Sequence, residues 1–267
     1  MGIRNPVVAG RFYPDHPEVL RQEIQGYLGT GPCQRAFAAI IPHAGYIYSG
    51  GVAGCVYSSM SIPDRVIILC PNHTGRGADF AVWPEGQWKT PLGAVPVDAD
   101  LAAQIRARCP FLEESRPAHE FEHSLEVQLP FLQVLRSGFT LVPICIRDLN
   151  PGRLLELGDA LAEAVRDSGC QALLIASSDM NHYETDAATR AKDRQAIERI
   201  QCLDALGLLQ TVAAQSISMC GVGPAVSAIQ AARNLGARKG ILIRYATSGD
   251  TSGDTRQVVG YAGMILV

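Results

Sequence analysis

The chain has 267 residues, a formal net charge of −3 and 47% hydrophobic residues. Its 23 basic and 26 acidic residues leave no basic excess, which argues against nucleic-acid binding, and the hydrophobic content excludes a disordered chain. No apolar run is long enough to cross a bilayer, and the first residues lack the apolar core of a signal peptide. We therefore expect a cytoplasmic protein with one domain over residues 1–267.

Apolar runs alternate with helical patterns along the chain, which is typical of an α/β fold. Helices are predicted at 16–29, from the glycine-rich turn 43–51 to Met60, and at 99–108, 122–137, 152–167, 186–215 and 222–235. Strands are predicted at 36–41, 65–70, 139–146, 172–177, 241–246 and 257–266, with a hairpin or meander in 79–97. Pro130 should kink or divide the helix around it, and Gly207 should break the helical stretch that contains it.

Histidines follow two of the predicted strands. His43 comes after strand 36–41, in the segment PHAGYIYSGG, and His73 comes after strand 65–70, in PNHTG. The carboxyl ends of buried parallel strands meet in one crevice of an open α/β sheet, so the two imidazoles should lie near each other. The pattern predicts a metal-capable site there, and the alternative is that His43 only caps a strand end by hydrogen bonds.

A carboxylate and a histidine follow a third strand. Asp179 and His182 lie three residues apart in SSDMNHY, after strand 172–177. A carboxylate beside an imidazole fixes its tautomer and raises its basicity, which suits a general base. The alternative is a helix-capping Asp179 with a surface histidine.

The eight cysteines contain no CxxC pair, and we expect reduced thiols without disulfides. Apolar contexts predict that Cys55, Cys70, Cys145 and Cys202 are small buried side chains. Cys220 differs, because it directly precedes the predicted helix 222–235 in MCGVGP. The positive end of a helix favours thiolate, so a metal ligand or reactive thiol and an ordinary buried cysteine both stay open.

Residues 119–123 read His-Glu-Phe-Glu-His, which matches the zinc-peptidase pattern HExxH with Glu120 as base. The apolar periodicity starts only at Leu125, so the pattern straddles a loop–helix boundary, and a third ligand with suitable spacing is missing. A milder interpretation is that His123 or Glu126 lines the predicted crevice.

Two features carry less weight. The tandem TSGD at 247–254 is a polar loop in which Asp250 or Asp254 could rim a pocket. His16 precedes an amphipathic helix and should be solvated.

Taken together, the motifs resemble the Memo family, also called the AmmeMemoRadiSam system protein B group. The matching segments run in order from about residue 5 to 265, and they are PHAGYIYSGG, PNHTG, EHSLEVQLPFL, SSDMNHY, MCGVGP and the ending from SGDTSGD to VVGYAG. The resemblance implies a three-layer α/β sandwich around a mostly parallel or mixed sheet. This fold is similar to that of class III extradiol dioxygenases, which hold non-haem Fe(II).

The resemblance also implies a site. Its metal ligands would be His43, His73 and Cys220, with Asp179 and His182 as catalytic residues beside them. Iron (Fe2+) is the expected metal; copper and zinc are alternatives, because a thiolate is a softer ligand than the carboxylate of the dioxygenases. The partners implied are a radical SAM protein and an AMMECR1-type protein.

Two functions are compatible with this pattern. The first is a metal-dependent redox enzyme that acts on a small aromatic molecule or a peptide side chain. The second is an adaptor that binds a partner peptide in a vestigial pocket, with Tyr46, Tyr48, Trp83 and Trp88 as aromatic anchors.

Overall fold

A nine-stranded mixed sheet forms the centre of the structure, a computed structural model that describes residues 2–267. The strands are β1 (Ile3–Arg4), β2 (Ala38–Ile41), β3 (Arg65–Pro71), β4 (Phe80–Val82), β5 (Gln87–Thr90), β6 (Gly93–Pro96), β7 (Glu113–Glu114), β8 (Thr140–Ile146), β9 (Ala172–Ser177), β10 (His182–Glu184), β11 (Gly240–Thr247) and β12 (Val258–Leu266). The helices are α1 (Pro17–Tyr27), α2 (Tyr46–Ser58), α3 (Ala99–Arg108), α4 (Pro117–Glu120), α5 (Leu129–Leu135), α6 (Pro151–Asp167), α7 (Asp186–Gln201), α8 (Ala205–Ala214), α9 (Val222–Leu235) and α10 (Ser248–Ser252). Within residues 2–267, none of these helices combines the length and apolarity needed to cross a membrane.

The strands of the large sheet pair in the order β10-β12-β2-β9-β3-β8-β4-β7, and β11 also pairs with β12. The four central strands β2, β9, β3 and β8 are mutually parallel, whereas β12 and β4 run antiparallel to their neighbours β2 and β8. Uninterrupted apolar sequences form the central strands because both faces of a parallel sheet are covered. Parallel pairing brings the carboxyl ends of these four strands to one edge of the sheet.

Helices cover both faces of the sheet. Neighbouring residues such as Ile40 and Ile41 belong to two different hydrophobic clusters, as the two-residue period of a strand requires. One cluster is formed with α3, α6, α7, α8 and α9, and the other with α1, α2 and α5. The predicted three-layer α/β sandwich with a mixed sheet is therefore confirmed.

Two local predictions differ from the structure, and a third, the hairpin in 79–97, is confirmed in part. The helix expected at 122–137 begins only after a 3-10 turn at Glu126–Gln128, and Pro130 lies in the first turn of α5, where a missing N–H costs nothing. The break in 186–215 falls before Asp204, which caps α8, so the predicted break at Gly207 is wrong. Segment 79–97 forms the hairpin β5–β6, but β4 leaves it to join the large sheet.

The cysteines are all free thiols. Cys70 and Cys145 are buried as expected, Cys55 is half-buried, and Cys202 is exposed, so its predicted burial is wrong. Cys202 directly follows α7, where its helical pattern ends in a turn that faces solvent.

The tandem TSGD forms the short helix α10. Asp250 closes a capping box with Thr247 and also pairs with Arg190 of α7. Asp254 pairs with Arg256 on the surface. Both carboxylates of this segment are thus engaged by structural partners.

Candidate metal centre

The predicted site residues lie at the carboxyl ends of three neighbouring strands. His43 lies two residues beyond β2, His73 two residues beyond β3, and Asp179 two residues beyond β9, the strand between them. His43 and Asp179 are buried, while the side chain of His73 is 35% exposed. The sheet thus places these three residues in one crevice. The crevice is open to solvent on the side of His73.

Three imidazole rings meet in this crevice: those of His43, His73 and His123. The His73 and His123 rings are stacked, with centroids 4.9 Å apart and an interplanar angle of 23°. His43 is nearly perpendicular to both, at 5.3 Å from His73 and 5.6 Å from His123. One ligand atom from each ring lies within 4.8 Å of the other two, which is a spacing that a single metal ion can bridge.

The tautomer of His43 follows from its contact with Ser177. Ser177 Oγ donates its one hydrogen to the Ser124 carbonyl at 2.6 Å and accepts a hydrogen bond from Gln128 Nε2 at 2.8 Å. Its contact with His43 Nδ1 at 3.0 Å therefore has the imidazole as donor. Burial lowers the pKa of His43 well below its usual value, so the ring is neutral and Nε2 carries a free lone pair. This is the form in which an imidazole binds a metal.

A buried carboxylate, Glu122, holds His73. Glu122 Oε2 accepts the backbone N–H of His73 at 2.6 Å, and Oε1 accepts from His73 Nδ1 at 2.9 Å. Ser124 donates to Oε1 from its N–H at 2.9 Å and its hydroxyl at 2.7 Å. Burial alone would raise the pKa of Glu122, but the hydrogen bond and charge of His73 and the Ser124 hydrogen bonds lower it to about 2. An ionised carboxylate therefore lies buried directly beside the imidazoles.

Glu122 is not among the site residues that the sequence motifs predict. It is the first residue of the EHSLEVQLPFL segment, and that position was the one available signal. The residue gains its role only because the loop 121–125 carries it against the His73 turn, which is distant in sequence.

The two histidines of the HExxH pattern lie in different environments. Helix α4 ends at Glu120, and only His123 reaches the crevice. His119 is fully buried between Trp83 and Trp88, at ring distances of 6.3 Å and 5.8 Å. A zinc-peptidase site needs both imidazoles on one helix face, so that interpretation is wrong.

His119 is expected to make the protein sensitive to acid. Burial lowers the pKa of His119 to about 3, whereas a histidine in the unfolded chain has a pKa of about 6.5. The unfolded chain therefore takes up a proton below pH 6.5, whereas the folded chain does so only near pH 3. The stability from neutral His119 is complete above pH 6.5 and is lost as the pH falls, by about 3 kcal/mol at pH 4.

Urea denaturation of His119→Phe between pH 7 and pH 4 checks this prediction. The variant should lose less stability on acidification than the wild type, and the exposed His16→Ala is the control. Identical pH dependence in wild type and His119→Phe would contradict it.

Asp179 and Cys220 both contact His43. Asp179 Oδ1 accepts the backbone N–H of His43 at 2.8 Å, and Cys220 Sγ lies 3.3 Å from His43 Nε2. Burial raises the pKa of Asp179 to about 7. Burial, and next the Asp179 carboxyl, also raise the pKa of the Cys220 thiol. Cys220 does precede α9, but the thiolate expected from the helix end is outweighed by burial. The thiol lies outside the group of three imidazoles.

Asp179 and His182 were predicted to pair, but among the residues that the structure describes no hydrogen bond joins them. His182 donates its backbone N–H to Ser218 Oγ at 2.7 Å, and its Nδ1 is buried without a partner among the described residues. Burial lowers the pKa of His182. Asn181 Oδ1 accepts from the N–H and hydroxyl of Ser218 at 3.1 Å and 3.2 Å. The segments carrying His182 and Cys220 are thus joined through Asn181 and Ser218.

Glu126 does not line the crevice. It is fully buried and pairs with Arg4, and it accepts hydrogen bonds from the N–H groups of Val7 and Val8 and from the Tyr13 hydroxyl. These bonds fasten the N-terminal segment to the loop that carries His123.

Comparison with known proteins identifies the family of the chain. Residues 4–265 match the sequence model described as Memo-like protein. The chain belongs to the Memo family. Among its relatives are MEMO1 family proteins of Methanopyrus kandleri, 42% identical and covering 98% of each chain, and of Aquifex aeolicus, 41% identical and covering 100% of each. The resemblance seen in the sequence motifs is confirmed.

This Memo family member also has a fold similar to that of a protein of low sequence identity whose structure has been solved. The solved structure is that of an uncharacterized protein from Escherichia coli K12, with a TM-score of 0.54 and 13% identity, and the alignment covers 86% of this chain and all of that one. At this identity the similarity shows the fold alone.

Proposed function

We propose that this Memo family protein is a metal-dependent enzyme of redox type that uses non-haem iron. His43 and His73 would hold the ion, with Cys220 as the third ligand. The observation that carries the proposal is the meeting of three imidazoles at the carboxyl edge of the sheet, with the Cys220 thiol 3.3 Å from His43 Nε2. A set of nitrogen and sulfur donors fits Fe2+, and it also fits copper or zinc as alternatives.

The charges around the imidazoles favour a cation. Glu122 is buried, and the positive charge of His73 helps to keep its pKa low, so a divalent ion bound to a neutral His73 would take the place of that charge. Asp179 is a second buried carboxyl in contact with the His43 turn. A divalent ion would stabilise both carboxylates and would draw Cys220 towards its thiolate form. Bound iron would supply electron transfer and an acceptor for substrate oxygen atoms.

The protein residues would orient the substrate and move protons. His182 would act as acid or base, since its buried Nδ1 has no partner among the described residues and its pKa is lowered by burial. Asp179 would hold the His43 turn through the backbone N–H. The substrate class is a small aromatic molecule or a peptide side chain. The cytoplasm as location, and a radical SAM protein and an AMMECR1-type protein as partners, are part of the same proposal.

Metal analysis of protein purified without air tests the proposal. We expect about one metal ion per wild-type chain and electron paramagnetic resonance signals of iron after oxidation. The triple variant His43→Ala/His73→Ala/Cys220→Ala should contain almost none, with His16→Ala as a histidine control. Full occupancy in the triple variant would refute the proposal.

The adaptor function is less well supported. Of its four proposed anchors, Trp83, Trp88 and Tyr46 are buried in the structure, and only Tyr48 is substantially exposed. Tyr46 donates its hydroxyl to the Val127 carbonyl, and Trp83 Nε1 donates to the Glu85 carbonyl. Three of the four rings therefore serve the interior and cannot anchor a peptide.

A further inference from the structure

We propose that His123 is also a ligand of this metal centre, and that Glu122 is the positioning residue that orients His123 together with His73. The inference rests on the proposed metal-binding function. His123 would be an additional nitrogen ligand of the metal, and Glu122 would act on the metal only through the imidazoles that it orients.

The Glu122 carboxylate accepts a hydrogen bond from the His73 ring and also lies close to the His123 ring. Glu122 Oε1 lies 2.9 Å from His73 Nδ1 and 3.5 Å from His123 Nδ1. The two imidazoles are stacked with an interplanar angle of only 23°. Since both rings turn Nδ1 towards the same oxygen, both direct Nε2 to the opposite side. With Nδ1 of each ring facing this carboxylate, Nε2 is the nitrogen that each ring has left for a metal ion.

The third lone pair comes from His43. Its Nδ1 donates to Ser177, so Nε2 keeps its lone pair, with the Cys220 thiol 3.3 Å away, and its ring stands at 75° to His73 and 85° to His123. Two parallel imidazoles and one perpendicular imidazole with ligand atoms within 4.8 Å form a three-nitrogen face. Such a face suits a borderline divalent cation and leaves positions for other ligands, as catalytic metal sites require.

The surroundings of His123 hold this arrangement in place. Phe12 packs edge-on against the His123 ring at 4.9 Å, and Arg4 donates to the backbone carbonyl of Glu122. The His123 side chain is still 24% exposed. The ring thus packs against Phe12 and keeps part of its surface accessible to solvent.

Metal titrations of apo protein with Co2+ test the two roles. His123→Ala should weaken Co2+ binding at least about 10-fold, and Glu122→Gln about 10- to 100-fold, which is typical when a group that orients metal ligands is lost. Glu120→Gln makes the same chemical change at an exposed position two residues away, and it should stay within about twofold of wild type, as should His16→Ala. Circular dichroism and the urea midpoint verify that each variant is folded.

Nitrogen-15 resonances of the imidazoles provide a readout that a merely structural role would not move. On addition of Zn2+ to wild type, the ring nitrogens of His43, His73 and His123 should all shift to values of metal-bound imidazole. In Glu122→Gln the His73 and His123 shifts should require more Zn2+ than they do in wild type. This measurement on wild type decides the ligand role even if a variant fails to fold.

The outcomes separate this inference from the proposed function. If His43 and His73 shift while His123 does not, or if His123→Ala binds Co2+ as wild type does, His123 is not a ligand and only this inference fails. If Glu122→Gln binds as tightly as Glu120→Gln, its positioning role is refuted. If no imidazole shifts and no metal binds, the proposed function itself is refuted.

Discussion

Replacement of Glu126 by alanine is expected to lower the free energy of unfolding by about 3–5 kcal/mol, the usual cost of removing one partner of a buried ion pair. The Arg4 guanidinium and the Glu126 carboxylate are both almost completely inaccessible to solvent. The substitution would leave the Arg4 charge, the Val7 and Val8 N–H groups and the Tyr13 hydroxyl without their acceptor. Urea denaturation measures the loss.

The exposed pair of Asp254 and Arg256 offers a matched control. The Arg256 side chain is 87% exposed, so Asp254→Ala should leave the urea midpoint close to that of wild type. A double variant Arg4→Met/Glu126→Ala should be more stable than Glu126→Ala alone, because no unpaired charge is then buried. A Glu126→Ala variant as stable as Asp254→Ala would show that the buried pair does not fasten the N-terminal segment.

Replacement of His182 by alanine is expected to lower turnover by roughly 10²–10⁴-fold, the usual effect of losing a general acid or base. Metal content should stay near that of wild type, because His182 lies outside the group of imidazoles that meet in the crevice. Elemental analysis gives the metal content, and dioxygen consumption with an aromatic or peptide substrate of the wild-type enzyme gives the rate.

Cys220→Ala is the matched comparison for His182→Ala. It should reduce metal retention first, since the thiol contacts His43 Nε2 directly. The two role assignments would be wrong if His182→Ala emptied the site while Cys220→Ala left it full.

The pattern of apolar and polar residues along the chain was sufficient to predict an α/β fold with parallel central strands. Uninterrupted apolar runs indicated the buried parallel strands, and histidines directly after two of them indicated where the carboxyl edge of the sheet would lie. His43 and His73 could be placed together because strand ends of a parallel sheet meet at one edge whatever the loops do. Burial of the central strands follows from the same apolar runs, since side chains on both faces of a covered sheet must be apolar.

The partners of each polar group could not be predicted in this way. Asp179 is three residues from His182, yet it accepts from the backbone of His43, 136 residues away in the chain. Glu122 and His123 join the site because the loop 121–125 is not helical, whereas spacing alone suggested a helical HExxH pair. Cys220 precedes a helix as predicted, but burial raises the pKa of its thiol against the effect of the helix end.

The sequence by itself thus determined the α/β class of the fold, the edge of the sheet that carries the site and two of its imidazoles. These features depend on hydrophobic periodicity and strand ends, which are local properties of the chain. Only the tertiary structure decided which carboxylate lies beside which imidazole, and which tautomer His43 adopts. Hydrogen bonds and burial depend on groups brought together from distant segments, and no spacing along the chain encodes those contacts.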